Sequence, residues 1–155
     1  MKQKTMPTCK CKPFTHNFEF QHEQRAIVSF TDKGSTTKYV YDNRSNDNLS
    51  KYRIDGGLIA DENAKCDYLL LNCDKLKSFF IEIKGSDLIH AIEQIDRSID
   101  ILKNDIADFS IFARIVLTRV NTTDLKNTKY LKLEKKVKAL KGDLQKQTRV
   151  MTEVN

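Results

Sequence analysis

Two apolar runs of strand length, split by a polar connector and followed by a helical stripe, constrain this chain most. The runs are residues 66–71 (CDYLLL) and 79–84 (FFIEIK), with 72–77 (NCDKLK) between them. Short runs of branched and aromatic residues bounded by turn-forming residues read as strands. From 87 to 103 the period changes. Leu88, Ile92, Ile95, Ile99 and Leu102 step by four, three, four and three, the apolar stripe of an amphipathic helix. Ser86 or Asp87 can cap its start.

The remaining segments extend this pattern. Residues 25–42 carry two runs rich in β-branched and aromatic residues around Asp32-Lys33-Gly34-Ser35, a hairpin signal. Residues 43–50 read as a polar loop, and 54–59 (IDGGLI) as a short strand broken by its Gly-Gly pair. Residues 109–120 form another strand. A helix is predicted from about 124 to 147, with Leu133, Val137, Leu140 and Leu144 on one face. Gly142 weakens its last turns by up to about 1 kcal/mol relative to Ala.

After the first hairpin the order is strand, strand, helix, strand, helix. That order predicts a mixed α/β (α+β) domain, a central mixed sheet flanked by helices. The chain divides into a flexible basic leader (1–24), a core (25–123) and a basic C-terminal helix on or extending that core (124–155). Its 155 residues suit one domain.

No apolar run approaches the roughly 18 residues that span a membrane, and the basic N-terminus lacks the apolar stretch of a secretory signal. A cytoplasmic protein with no membrane partner is therefore expected. There Cys9, Cys11, Cys66 and Cys73 would be free thiols. Cys9 and Cys11, with His16 and His22, could form a metal site. Cys-x-Cys is tighter than the usual zinc spacing, however, which favours a leader with two exposed thiols.

The net charge of +6 is unevenly placed. Residues 126–149 hold eight lysines and Arg149 against Glu134 and Asp143, and the rest of the chain is close to neutral. Such a segment fits either a polyanion footprint or a helix face kept soluble by lysine. In the first reading Lys132, Lys135, Lys136 and Lys138 would face water and phosphate.

The chemistry sits in the paired runs. If they form an antiparallel hairpin closing around Asp74-Lys75, Leu71 faces Ser78, Leu69 faces Phe80 and Asp67 faces Glu82. Strand side chains alternate, so Asp67, Glu82 and Lys84 share one face. Directly opposed residues have Cβ atoms about 4.5–5.5 Å apart, and like charges that close destabilise a sheet. Two carboxylates inside an apolar hairpin can share a proton. They can also hold a divalent cation, and hard oxygen ligands with water suit magnesium. Bare spacing favours a salt-bridged cluster on an exposed sheet face, with Lys84 balancing two acids, since Glu-x-Lys on a strand is common.

A wider pattern adds weight to the cation. Lys65-Cys66-Asp67-Tyr68-Leu69-Leu70, then Phe80-Ile81-Glu82-Ile83-Lys84-Gly85, then Ala91 and Gln94 in the next helix resembles the PD-(D/E)xK nuclease superfamily. That group includes many restriction endonucleases, Holliday-junction resolvases and repair nucleases. The match covers about residues 65–95, and the element order carries it to about 120. Cys66 stands where the family name has proline. The upstream glutamate of many members has only Glu19 and Glu23 as candidates, with Asp55 as the alternative further ligand.

The resemblance implies a restriction-endonuclease-like core. Asp67 and Glu82 would bind Mg²⁺ (Mn²⁺ may substitute) with the carbonyl of Ile83. Lys84 would orient the attacking water, and Gln94 would approach from the helix. The expected function is metal-dependent hydrolysis of phosphodiester bonds in DNA, of restriction, defence or repair type. The alternatives are a resolvase-like homodimer, a non-catalytic nucleic-acid- or protein-binding module on the same fold, and an interaction subunit that docks a partner on its C-terminal helix.

Overall fold

A computed structural model describes residues 11–32, 35–84, 87–119 and 127–155, with Lys84 described by its backbone alone. The predicted turn residues Lys33 and Gly34, the possible cap Ser86 and the start of the predicted second helix lie outside them. So do Cys9 and the first half of the leader.

The strands are β1 (Phe18–Glu23), β2 (Ile27–Thr31), β3 (Lys38–Asp42), β4 (Leu49–Arg53), β5 (Tyr68–Asn72), β6 (Lys77–Lys84), β7 (Ser110–Leu117), β8 (Leu144–Thr148) and β9 (Val150–Val154). The helices are α1 (Leu88–Leu102) and α2 (Thr128–Ala139). The protein is a mixed α+β fold with a six-stranded sheet ordered β1-β4-β5-β6-β7-β8 and a three-stranded sheet ordered β2-β3-β9. In the large sheet β1, β4, β5 and β6 pair antiparallel, whereas β6, β7 and β8 run parallel. A parallel pair needs a crossover, and α1 and α2 supply the two crossovers here.

The hairpin register is the one the connector dictates. Leu71 pairs with Ser78, Leu69 with Phe80 and Tyr68 with Ile81. Alternation then sorts the strands into two cores. Leu69, Leu71, Phe80, Ala113, Ile115 and Leu117 pack beneath the apolar stripe of α1 and beneath Leu133 and Val137 of α2. Leu70, Phe79, Ile81, Ile83 and Val116 pack on Val28, Phe30, Tyr39, Tyr41 and Met151 of the small sheet. Helices therefore cover one face only. The expectation of a sheet flanked by helices needs correcting, because the predicted 25–42 hairpin becomes the cover of the other face.

Three further sequence expectations change, besides the polar loop of 43–50, whose last two residues open β4. The leader is not uniformly free: β1 pairs with β4, and Cys11 is buried and disulfide-bonded to Cys73, with Cα atoms 5.1 Å apart. Free thiols at these two positions are thus corrected to a bond that ties the leader to the β5–β6 turn. Residues 54–59 are a compact turn rather than a strand. The amides of Gly57 and Ile59 donate to the Ile54 carbonyl, and that of Leu58 donates to the Arg53 carbonyl. A Cβ on Gly57 would collide with that same Arg53 oxygen.

The third change is at the C-terminus. The helix stops at Ala139, not near 147, and the chain goes on to form β8 and β9. Lys141 takes φ 67°, and the Gly142 amide donates to the Val137 carbonyl at 2.9 Å. A side chain on Gly142 would run into the Ile111 carbonyl, so the glycine marks where the chain crosses β7. Leu144 then enters the sheet instead of lengthening a helical stripe.

A buried polar cluster joins the two sheets. Arg114 of β7 donates to both carboxylate oxygens of Glu153 on β9, at 2.8–3.1 Å, and to Asp143 Oδ1 at 2.6 Å. Tyr39 of β3 donates to Glu153 as well. Burial and the Glu153 charge together push the Tyr39 hydroxyl well above its ordinary pKa. Among the described residues no helix is long and apolar enough to cross a membrane.

Candidate active site

The predicted acids meet at one end of the large sheet. β6 runs towards that end and finishes there at Lys84, whereas antiparallel β5 begins there at Tyr68. Asp67 immediately precedes β5. Its amide donates to the Ile81 carbonyl at 3.2 Å, which carries the hairpin one step beyond the regular ladder. Its Oδ2 accepts the Ile83 amide at 2.9 Å. Asp67 is thereby held opposite Glu82, as the register requires. This end is also the carboxyl end of the parallel strands, where open α/β sheets place their ligand crevices.

Glu82 is fully buried, with 0% of its surface exposed, and Asp67 is half-buried. Glu82 stands on the same face of β6 as Phe80, the face that α1 covers. An exposed, solvated charge cluster does not describe this arrangement. The Cys66 thiol registers both acids: burial raises its pKa well above the ordinary value, and the Glu82 and Asp67 charges raise it further.

Helix α1 fixes the approach to Asp67. Asp87 caps it by accepting the His90 amide at 2.9 Å. Ser98 Oγ accepts the Cys66 amide at 2.9 Å and donates to the Gln94 carbonyl at 2.8 Å. Gln94 Nε2 donates to the Lys65 carbonyl at 3.1 Å. Arg97 donates to both oxygens of Asp61 and to the Ala64 carbonyl, and this pairing holds the Asp61 carboxyl below its usual pKa. Three side chains of one helix thus grip the segment that leads into Asp67. Gln94 is buried, and its Oε1 has no hydrogen-bond partner among the described residues. It lies one residue contact from Cys66, through Lys65, rather than on the boundary.

The other predicted site residues fall as follows. Asp55 lines a small cleft with Asp67, Arg53, Tyr68, Thr31 and Asp32. It is half-exposed and faces Lys65 Nζ at 3.8 Å. Glu19 and Glu23 lie in β1, paired with Lys51 at 2.8 Å and Arg25 at 2.6 Å respectively. Lys132, Lys135 and Lys138 are exposed on α2. Lys136 is not available as expected, because it bridges Asp96 and Asp100 of α1, each at 2.6 Å. Of the Cys/His grouping in the leader, Cys9 lies outside the described residues and Cys11 is in the disulfide.

The donor chemistry fits magnesium. Asp67 and Glu82 offer hard carboxylate oxygens, and one of the two residues is accessible. Among the described residues no three His, Cys, Asp or Glu side chains gather as a metal group, so Asp55 does not join the pair. Such a pair leaves the remaining positions to main-chain oxygen and water, which Mg²⁺ tolerates and zinc sites rarely do.

Sequence reasoning did not single out Arg53, which lines the same cleft as Asp67. It was missed because β4, which Arg53 ends, was not predicted: residues 43–50 read as a polar loop. Compared with known proteins, the chain matches no family model, no curated protein and no solved structure.

Proposed function

We propose that this protein is a magnesium-dependent nuclease on a restriction-endonuclease-like core, hydrolysing phosphodiester bonds in DNA. One observation carries the reading. Asp67 and Glu82 converge on one strand-end face, with Glu82 fully buried and Asp67 held by the Ile83 amide. Two acids opposed at that depth call for compensation, and a bound divalent cation supplies it beside a shared proton or a cationic side chain.

Asp67 and Glu82 would hold the ion, with the Ile83 carbonyl as a further ligand. A bound magnesium ion supplies Lewis acidity at the phosphoryl oxygen and activates water at neutral pH. Lys84 would orient the attacking water and offset charge on the phosphate as it is attacked. Gln94 would lend its buried Oε1 as an acceptor at the helix side of the site. Manganese would substitute.

The test is a panel of linear, circular, single-stranded and branched DNA, with RNA, incubated with Mg²⁺, Mn²⁺ or EDTA. Cleavage that needs the metal supports the reading. Cleavage in EDTA, or no cleavage of any substrate at low salt, contradicts it.

A further inference from the structure

We propose that the phosphate backbone of the substrate crosses the rim of strand ends around Asp67, gripped by Arg53, Lys38, Arg119 and Arg149, and does not run along the lysines of α2. The proposal rests on the nuclease reading above and names the surface through which that site meets nucleic acid.

Topology brings the four cations together. Arg53 ends β4, and Arg119 follows β7 by two residues. Arg149 follows β8, and its amide donates to Leu117, the last residue of β7, at 2.7 Å. Leu117 in turn pairs with Lys84 at the end of β6. From the small sheet, Lys38 begins β3 and its amide donates to the Arg149 carbonyl at 2.9 Å. These positions lie at the same end of the fold as Asp67.

The cations are also free to bind. All four are exposed, and among the described residues none makes an ion pair. Arg53 is anchored by donating from Nε to the Asp55 carbonyl at 3.1 Å, and it lines the cleft beside Asp67. The acids nearby are Asp32, Asp55 and Asp67, and Lys65 faces Asp55 at 3.8 Å. From β4 to β8 the rim spans four interstrand steps, about 19 Å. That matches about five or six nucleotides at about 3.4 Å of rise per strand.

The α2 flank is the weaker track. Lys129 pairs with Glu93, Lys136 with Asp96 and Asp100, and Lys138 lies 3.9 Å from Glu134. In the groove between the helices Glu93, Asp96 and Asp100 offset the charge of Lys129, Lys132 and Lys136.

The experiment compares two triple variants in a Glu82→Gln background, which keeps the DNA intact. One carries Arg53→Gln, Arg119→Gln and Arg149→Gln. The other carries Lys132→Gln, Lys135→Gln and Lys138→Gln. Binding of a fluorescein-labelled DNA duplex is followed by anisotropy across a salt series, with circular dichroism as the folding control. The rim variant should bind at least about tenfold more weakly. Its slope of log affinity against log salt should flatten by about 1 per lost contact. The α2 variant should keep the parent's affinity and slope. An unchanged rim variant with a weakened α2 variant overturns the proposal and leaves the nuclease reading standing. No DNA binding by the parent at any salt overturns both.

Discussion

Asp67 accepts the main-chain amide of Ile83 at 2.9 Å, from a position one residue outside the strand that it precedes. The bond links the exposed side of the acid pair to the strand that carries Glu82 and Lys84. It orients one carboxylate oxygen inward onto the backbone of β6. Charge-assisted bonds of this kind are about twice as strong as neutral ones, so the carboxylate is positioned before any substrate arrives.

The acid pair has a measurable signature in the absence of substrate. Glu82→Gln removes like-charge repulsion across the hairpin at nearly constant volume. In EDTA its melting temperature should equal or exceed that of the wild type. Millimolar Mg²⁺ should raise the wild-type melting temperature, since a ligand bound only by the folded state stabilises it, and should leave the variant unmoved. Unfolding of Glu82→Gln would mark the acid as part of a structural network instead.

The disulfide between Cys11 and Cys73 closes a loop across a separation of 62 residues. Cys73→Ser should cost about 2–4 kcal/mol of stability in oxidising buffer, the usual range for such a crosslink. A reductant should lower the wild-type urea midpoint towards that of the variant and have no effect on the variant itself. Equal midpoints for the two proteins in oxidising buffer would show that the bond contributes nothing.

Lys136 clasps α2 to α1 and holds the Asp100 carboxyl below its ordinary pKa. Because the folded state favours ionised Asp100, this contribution is in place above the ordinary carboxylate pKa of about 4. It is lost as the pH falls through the depressed folded-state value. The acids are largely exposed, so Lys136→Ala should cost no more than about 1 kcal/mol at neutral pH. Urea titrations should find the two proteins converging in strong acid. A difference that persists there would place the effect in packing rather than charge.

How far the sequence reached depends on the element. Residues 66–83 and 88–102 were legible, because a polar connector fixes the hairpin register and the stripe from Leu88 to Leu102 fits a helix. Asp67 and Glu82 stand opposed for that reason. The C-terminus misled because β8 (LQKQT) is a polar sheet-edge strand that buries only Leu144, and lysine-rich polar runs read as helix. Gly142 looked like a helix weakener, yet its reason is the Ile111 carbonyl, contributed from over 30 positions earlier. Lys136 looked free because its partners Asp96 and Asp100 sit on another helix. The Cys11–Cys73 bond had no local signal at all.

The proposed site is a metal-dependent phosphodiesterase built from Asp67, Glu82 and Lys84. The most direct measurement is the cleavage rate of labelled DNA in Mg²⁺ for wild type, Glu82→Gln and Lys84→Ala, prepared identically and shown to be folded. Wild-type cleavage that EDTA abolishes is expected, with a loss of about three orders of magnitude or more in each variant. Variants that cleave as fast as the wild type, or a folded wild type with no metal-dependent cleavage, would overturn the nuclease reading.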